Sequence, residues 1–193
     1  MRFAFIPVAA AMAVGAAAPV LAEPYVLDKS HTQVIFSVDH LGFSVVHGWF
    51  RNMDAEIDFD PEALEQTRVT FTIDAASVDT NWPARDEHIR SADFLDVENH
   101  PTITFVSKSV ELTSAETARL TGEVTLRGVT HEETFDVRLN KYGPSPIVPG
   151  KTVAGFTATG ELDRTRYGMN YAAPAVGGTI PIRIELEMSP AGR

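Results

Sequence analysis

Apolar and polar side chains alternate with a period of two along most of this chain. Ile180, Ile182, Ile184, Leu186 and Met188 take turns with Pro181, Arg183, Glu185 and Glu187. The same pattern runs through Val69, Phe71 and Ile73, through Ala55, Ile57 and Phe59, and through Leu120, Gly122, Val124 and Leu126. It returns in Phe135, Val137 and Leu139 and in Phe156, Ala158, Gly160 and Leu162. Val34, Phe36 and Val38 carry it less cleanly, and the stretches 45–50 and 103–105 fit two further strands. Successive side chains of a strand point to opposite faces, so each segment has one apolar and one wet face. Turn-forming residues separate the runs: Asp60-Pro61, Arg127-Gly128 and Gly143-Pro144-Ser145-Pro146. The pattern predicts an all-β chain of about eight to ten short antiparallel strands, closed as a barrel or stacked as a sandwich.

One stretch departs from it. Pro83 to Asp96 reads as one or two short helical turns, with Pro83 at the first helical position and acids in the first turn. Ile89, Phe94 and Leu95 would cover one barrel mouth. A second short turn is expected at Pro61–Leu64, with Asp60 as its cap. The stretch 143–150 reads as a loop within one domain, residues 23–193.

The first residues modify this picture. Arg2 is the only charge before Glu23, an Ala- and Val-rich run follows, and Val20-Leu21-Ala22 ends it. A charged start, apolar middle and small-residue end mark residues 1–22 as a secretory signal peptide and place the mature chain in the periplasm. The run is too short and too interrupted, by Pro7 and Gly15, for a spanning helix. No second long apolar run exists, so stable membrane insertion is not expected. The polar phase of the strands is rich in Glu, Asp, Thr and Arg, which argues against an outer-membrane barrel. The net charge of −10, with no Lys/Arg cluster, makes nucleic acid an unfavourable partner. The chain has no cysteine, which removes disulfides, thiol catalysis and Cys-ligated zinc together.

Gly122, Ala158 and Gly160 occupy the apolar phase where bulkier residues would fill space. Small residues at those positions would hollow the barrel, or would mark corners of a packed one. Alternation alone leaves both readings open. The six histidines show no metal-ligand spacing. His40 shares the phase of Val34, Phe36 and Val38. Arg85 and His88 share one face of a helical turn, either toward a ligand headgroup or within an ion-pair network that fixes the lid. No nucleophile elbow or phosphate loop is present, so neither catalytic residue, metal nor cofactor is expected.

Taken together, several motifs resemble the YceI-like family. They are Asp28-Lys-Ser-His31 leading to Val34-Ile-Phe36, His40-Leu-Gly-Phe-Ser44, Arg85-Asp-Glu-His88 with Phe94, and Pro101-x-Ile103-x-Phe105. Leu120-Thr-Gly122, Leu126-x-Gly128-Val-Thr130 and Arg164 with Tyr167-Gly-Met169 follow in order. The chain departs from the family's usual residues at His47, Leu95 and Gly177-Gly178-Thr179. The resemblance covers about Tyr25 to Met188. It implies an extended eight-stranded, lipocalin-like barrel with an apolar pore for a long isoprenoid tail, export, and no required metal.

On that basis the expected lining is Val34, Phe36, Val38, Phe71, Ile73, Phe105, Val124, Leu126, Phe156, Ala158 and Ile182. Ile89, Phe94 and Met169 would join it near the lid, and His40, Arg85 and His88 would meet the headgroup. The expected ligand is a long-chain isoprenoid or fatty lipid, held by a binding or carrier protein. An enzyme acting on the barrel-bound lipid, and an envelope interaction module with a filled barrel, are the alternatives. Self-association into a homodimer is left open.

Overall fold

A computed structural model describes residues 23–192. The expected signal segment, residues 1–22, lies outside the described residues. Eleven strand segments form one sheet: β1 Glu23–Leu27, β2 Gln33–His40, β3 Ser44–Phe50, β4 Met53–Phe59, β5 Arg68–Asp74, β6 Val78–Asp79, β7 Thr102–Leu112, β8 Thr117–Leu126, β9 Val129–Pro144, β10 Thr152–Asp163 and β11 Thr179–Pro190. All named pairings are antiparallel.

These segments resolve into eight staves. β1 and β2 run end to end along one edge of β11, at Leu27↔Met188 and then Gln33↔Glu185. β3 and β4 pair with that broken stave, and β6 and β5 pair in turn with β3 and β4. From β5 the order runs β7, β8, β9, β10 and β11, whose pairing with β1 closes the ring. Closure leaves the main sheet without a free long edge; the short β6 pairs with β3 alone, and Arg90 takes up its Val78 carbonyl.

The alternation accounts for most of these strands. Two lay below its resolution. β1 shows only Tyr25 and Leu27 buried around the exposed Val26, with Pro24 beside them. β6 is two residues long. β9 extends well past the expected 135–139 and carries Gly143 and Pro144 within it, so the loop is shorter than 143–150. The expected turn at Pro61–Leu64 sits further on, as a 3-10 turn at Leu64–Gln66. Asp60 does not cap it; its carboxylate accepts the Glu62 N–H at 2.8 Å, a side-chain turn that competes with capping.

The helix α1, Pro83–Arg90, begins at Pro83 as expected. With the turns that follow it, α1 covers one end of the barrel, here the upper end. The same end carries the β2–β3 turn, the Arg127-Gly128 turn and the segment 164–178. Arg127 and Gly128 both have positive φ, 52° and 71°, the geometry of a tight two-residue hairpin. The lower end carries the β4–β5, β7–β8 and β9–β10 connections.

Two apolar clusters line the interior. The lower one centres on Tyr25, Ile57, Phe59, Phe71, Ala154 and Met188. The upper one centres on Phe36, Val78, Leu95, Leu126, Tyr167 and Met169. Phe105 packs against both, and its ring meets Phe135 edge to face at 5.6 Å. Here the structure decides a point that alternation left open: Gly122 and Gly160 do not themselves hollow the barrel. A Cβ on Gly122 would sit 2.6 Å from the Phe105 ring, and one on Gly160 would sit 2.6 Å from the Phe135 ring. Each glycine leaves the space that an aromatic ring from the neighbouring strand occupies.

Candidate functional site

The apolar faces of the staves surround a cavity of about 580 Å³. That volume falls within the range of small-molecule sites, roughly 300–1,000 Å³. Inward side chains on β11 follow one phase from Ile180 through Ile182, Ile184 and Leu186 to Met188. At about 3.3 Å per residue that is roughly 27 Å of strand, or on the order of 20 Å along the axis of a tilted barrel. The cavity is therefore long and narrow.

Every residue expected to line it stands on its wall. Val34, Phe36 and Val38 come from β2, Phe71 and Ile73 from β5, Phe105 from β7, and Val124 and Leu126 from β8. Phe156 and Ala158 come from β10, Ile182 from β11, and Ile89, Phe94 and Met169 from the upper cover. His40, Arg85 and His88 stand at the upper mouth. The wall also includes residues not expected there from the sequence: Phe59, Ile103, Val137 and Leu139 deeper in, Arg164, Tyr171 and Val176 above, and Leu112 and Glu116 below. Val137, Leu139 and Phe59 had already shown the apolar phase of their strands. Tyr171 and Val176 lie in a non-periodic segment and gave no such signal.

The mouth is framed by polar groups whose partners are all protein. Thr80 and Asp86 are buried. Asp86 accepts the Thr80 N–H at 2.8 Å and its hydroxyl at 2.5 Å. Arg85 Nε donates to the Thr80 hydroxyl and Nη2 to the Thr80 carbonyl, both at 2.7 Å. Arg90 donates to the carbonyls of Ala76 and Val78, which pins α1 to β6. The lid is thus fixed by hydrogen bonds, and Arg85 serves that frame while facing the cavity.

Across the mouth, Arg164 is 4% exposed and donates to four backbone carbonyls, those of Met169, Tyr171, Val176 and Gly177. Burial pushes its guanidinium down from its ordinary value, with Asp163 opposing. Even so, a guanidinium does not deprotonate in proteins, so the group acts as a fixed cationic clasp for the non-periodic segment 169–177. Its charge lies 5.8 Å above the Phe94 ring. Nearby, the fully buried Tyr167 donates to Glu133 at 2.9 Å. Burial first, and then Glu133, raise its phenol above the usual range and keep it a donor.

His88 bonds Asp93 at 3.0 Å and meets the rings of Phe94 and Tyr171 edge on, at 5.0 and 4.9 Å. His40 bridges Val176 through the backbone and is exposed at the rim. Among the described residues no hydroxyl hydrogen-bonds to either ring. One group could hold a cation: Asp28, His31 and Glu187 have donor atoms within 4.8 Å of one another. It lies outside the cavity wall, where Asp28 already bonds Ser30 and His31 in the turn before β2.

Known proteins share this architecture. The YCEI protein of Campylobacter jejuni superposes with a TM-score of 0.73 at 29% identity, over 80% of this chain and 90% of that one. A polyisoprenoid binding domain from Saccharophagus degradans, implicated in plant cell wall breakdown, has the same fold at a TM-score of 0.63 and 12% identity, over 88% and 99% of the two chains. A UPF0312 protein of Pseudomonas putida is 35% identical over 97% of each chain. The model of the YceI-like domain matches residues 25–188. By that match, the closed barrel and its motifs in order, the chain belongs to the YceI-like family.

Proposed function

We propose that this protein is a binding or carrier protein that holds one long-chain isoprenoid, or a comparable amphipathic lipid, along the barrel axis. In this reading residues 1–22 direct export and are removed, and the mature chain works in the periplasm. The observation that carries the reading is the long cavity with an apolar wall and a polar frame at one mouth. The name of the Saccharophagus degradans domain points to the same ligand class.

The energetics fit a long tail. At about 30 Å³ per water-sized group, the cavity holds on the order of twenty carbons. Burial at ~0.8 kcal/mol per carbon offers roughly 16 kcal/mol. Association costs an estimated 4–15 kcal/mol. A short tail would scarcely bind, whereas a tail that fills the barrel would bind well. Burial is non-directional, so saturated and unsaturated chains compete. The headgroup sits at the mouth near His40, Arg85 and His88, where selectivity is loose because Arg85 is already committed to Thr80.

Mass spectrometry of protein purified without detergent tests this directly. A stoichiometric lipid that is lost in a folded Ala158→Trp variant is the expected result, since Ala158 faces the cavity between Val137 and Ile184. A lipid-free barrel that also fails to take up long prenyl alcohols would overturn the proposal, and a chemically altered lipid would point instead to an enzyme.

A further inference from the structure

Three stretches that meet at the upper end carry no Asp, Glu, Lys or Arg: residues 40–50, 80–84 and 167–182. Residues 167–182 and 40–50, with 16 and 11 residues, are the two longest such runs between Glu23 and Arg193. The fold brings all three to one place. His40 bridges Val176, which joins the first stretch to the third. The pairs Trp49↔Asp79 and Phe50↔Val78 carry the second stretch alongside β3, where the Thr80 methyl lies against Gly48. Together they form the hairpin side of the upper mouth.

This rim exposes large apolar side chains. Phe43 is 88% exposed at the tip of the β2–β3 turn, with Trp82 at 62% and Val45 at 54% nearby. Leu41 and Tyr171 are about half exposed. The tip is held outward by its own hydrogen bonds, from Phe43 N–H to the His40 carbonyl at 3.0 Å and from Gly42 N–H to the Asp39 carboxylate at 2.9 Å. The lower end differs. Its exposed Ile147 and Val148 lie in the uncharged run 142–150, flanked by Lys141 and Lys151, while Asp60, Glu62, Glu65 and Glu116 occupy the other connections and Glu111 the end of β7.

We infer that this apolar rim, with Asp39 at the foot of its turn as its exposed acid, docks on a lipid bilayer with zwitterionic headgroups, and that the cavity exchanges its ligand through the docked mouth. The inference rests on the carrier reading above. A bilayer suits the rim better than a protein partner. A stable protein interface needs about 800 Å² on each side, whereas a bilayer accepts a few aromatic and aliphatic side chains at the headgroup boundary, where Trp and Tyr are favoured. Zwitterionic lipid is specified because the chain's charge of −10 repels an anionic surface and the rim has no basic cluster to offset it. Glu87 and Asp93, exposed on the α1 side of the mouth, stay in water, so the barrel docks tilted with its hairpin side down.

The test uses the mature chain with phosphatidylcholine vesicles. Co-flotation is expected, with a blue shift of Trp82 fluorescence in a Trp49→Phe background. The double variant Phe43→Ser/Trp82→Ser leaves the core untouched. Its transfer of a labelled long prenyl alcohol from vesicles should fall by about tenfold or more, while its loading from detergent micelles matches the parent. Loading from micelles without vesicle binding overturns the docking alone, as does vesicle transfer by the double variant at the parent rate. A dimer built through the rim that leaves vesicles unbound also overturns it. Absence of loading from either source sinks the carrier reading and the docking with it.

Discussion

Below the Phe105–Phe135 pair the barrel interior is held by side chains with almost no polar atoms, whereas above it a buried arginine and a buried aspartate frame the opening. The lower cluster depends on Phe59 and Met188, each 2% exposed, and on Ala154, which is fully enclosed. Apolar packing of this kind gains by filling space. The upper end has Arg164 on four carbonyls and the Thr80–Asp86–Arg85 group. Hydrogen bonds are directional, so they hold segments apart at fixed positions without filling the space between them. The contrast teaches how a small barrel keeps a mouth without collapsing on it: apolar packing holds one part together and polar ties brace the other.

Substitutions in each region sharpen this contrast. Arg164→Met should have the largest effect, about 4 kcal/mol in urea unfolding, because four carbonyls lose their shared donor. Arg164→Lys should recover only part of it, since an ammonium cannot reproduce the planar fork. If Arg164→Met unfolds at the parent midpoint, the upper end is held by packing as the lower one is. Met188→Ala should cost about 3 kcal/mol by opening a cavity in the lower cluster. It should leave the protection of the 169–177 amides from hydrogen exchange unchanged; a loss there would erase the distinction between the two ends.

Gly160→Ala should cost about 2 kcal/mol, since the new methyl must displace the Phe135 ring. The expected partner of that loss is a shifted tail-length preference, because Phe135 also lines the cavity. A neutral result in thermal unfolding would contradict this role of the glycine.

The smallest effect concerns the turn before β2. The Ser30 hydroxyl first, and then His31, hold the Asp28 carboxylate down at about 2. The Asp28 carboxylate raises His31 above its ordinary value. A depressed acid stabilises the fold above its unfolded value and loses that contribution as pH falls toward the folded one. A raised histidine contributes below its unfolded value and loses that contribution as pH rises through the folded one. The pair is therefore most useful between the two ordinary values, 3.8 and 6.5. Asp28→Asn should lower the melting temperature most in that window and least near pH 2. A pH-independent difference would remove the ion pair from the account.

Much of the fold was legible because a strand shows its orientation in the sequence. Ile180 to Met188, Val69 to Ile73 and Val124 to Leu126 each displayed an inward face, and the structure places those faces on one cavity. The wall positions were therefore readable, while the role of Gly122 and Gly160 stayed open. A glycine in the apolar phase reports only a missing side chain. Which neighbouring ring fills the gap depends on the pairings Ser107↔Gly122 and Thr159↔Asp136, and pairing is a property of the closed sheet. Arg164 stood out as part of a motif, but its partners lie on a segment without any period.

The sequence by itself determined that the chain is all-β, that α1 begins at Pro83, and which side chains turn inward, because side-chain direction follows from local backbone geometry. Tertiary structure alone decided that three broken strands count as staves, that the three uncharged stretches meet at one mouth, and that Arg164 clasps its edge. Those outcomes depend on where the ring closes, and closure joins residues distant in the chain through contacts that no local pattern encodes.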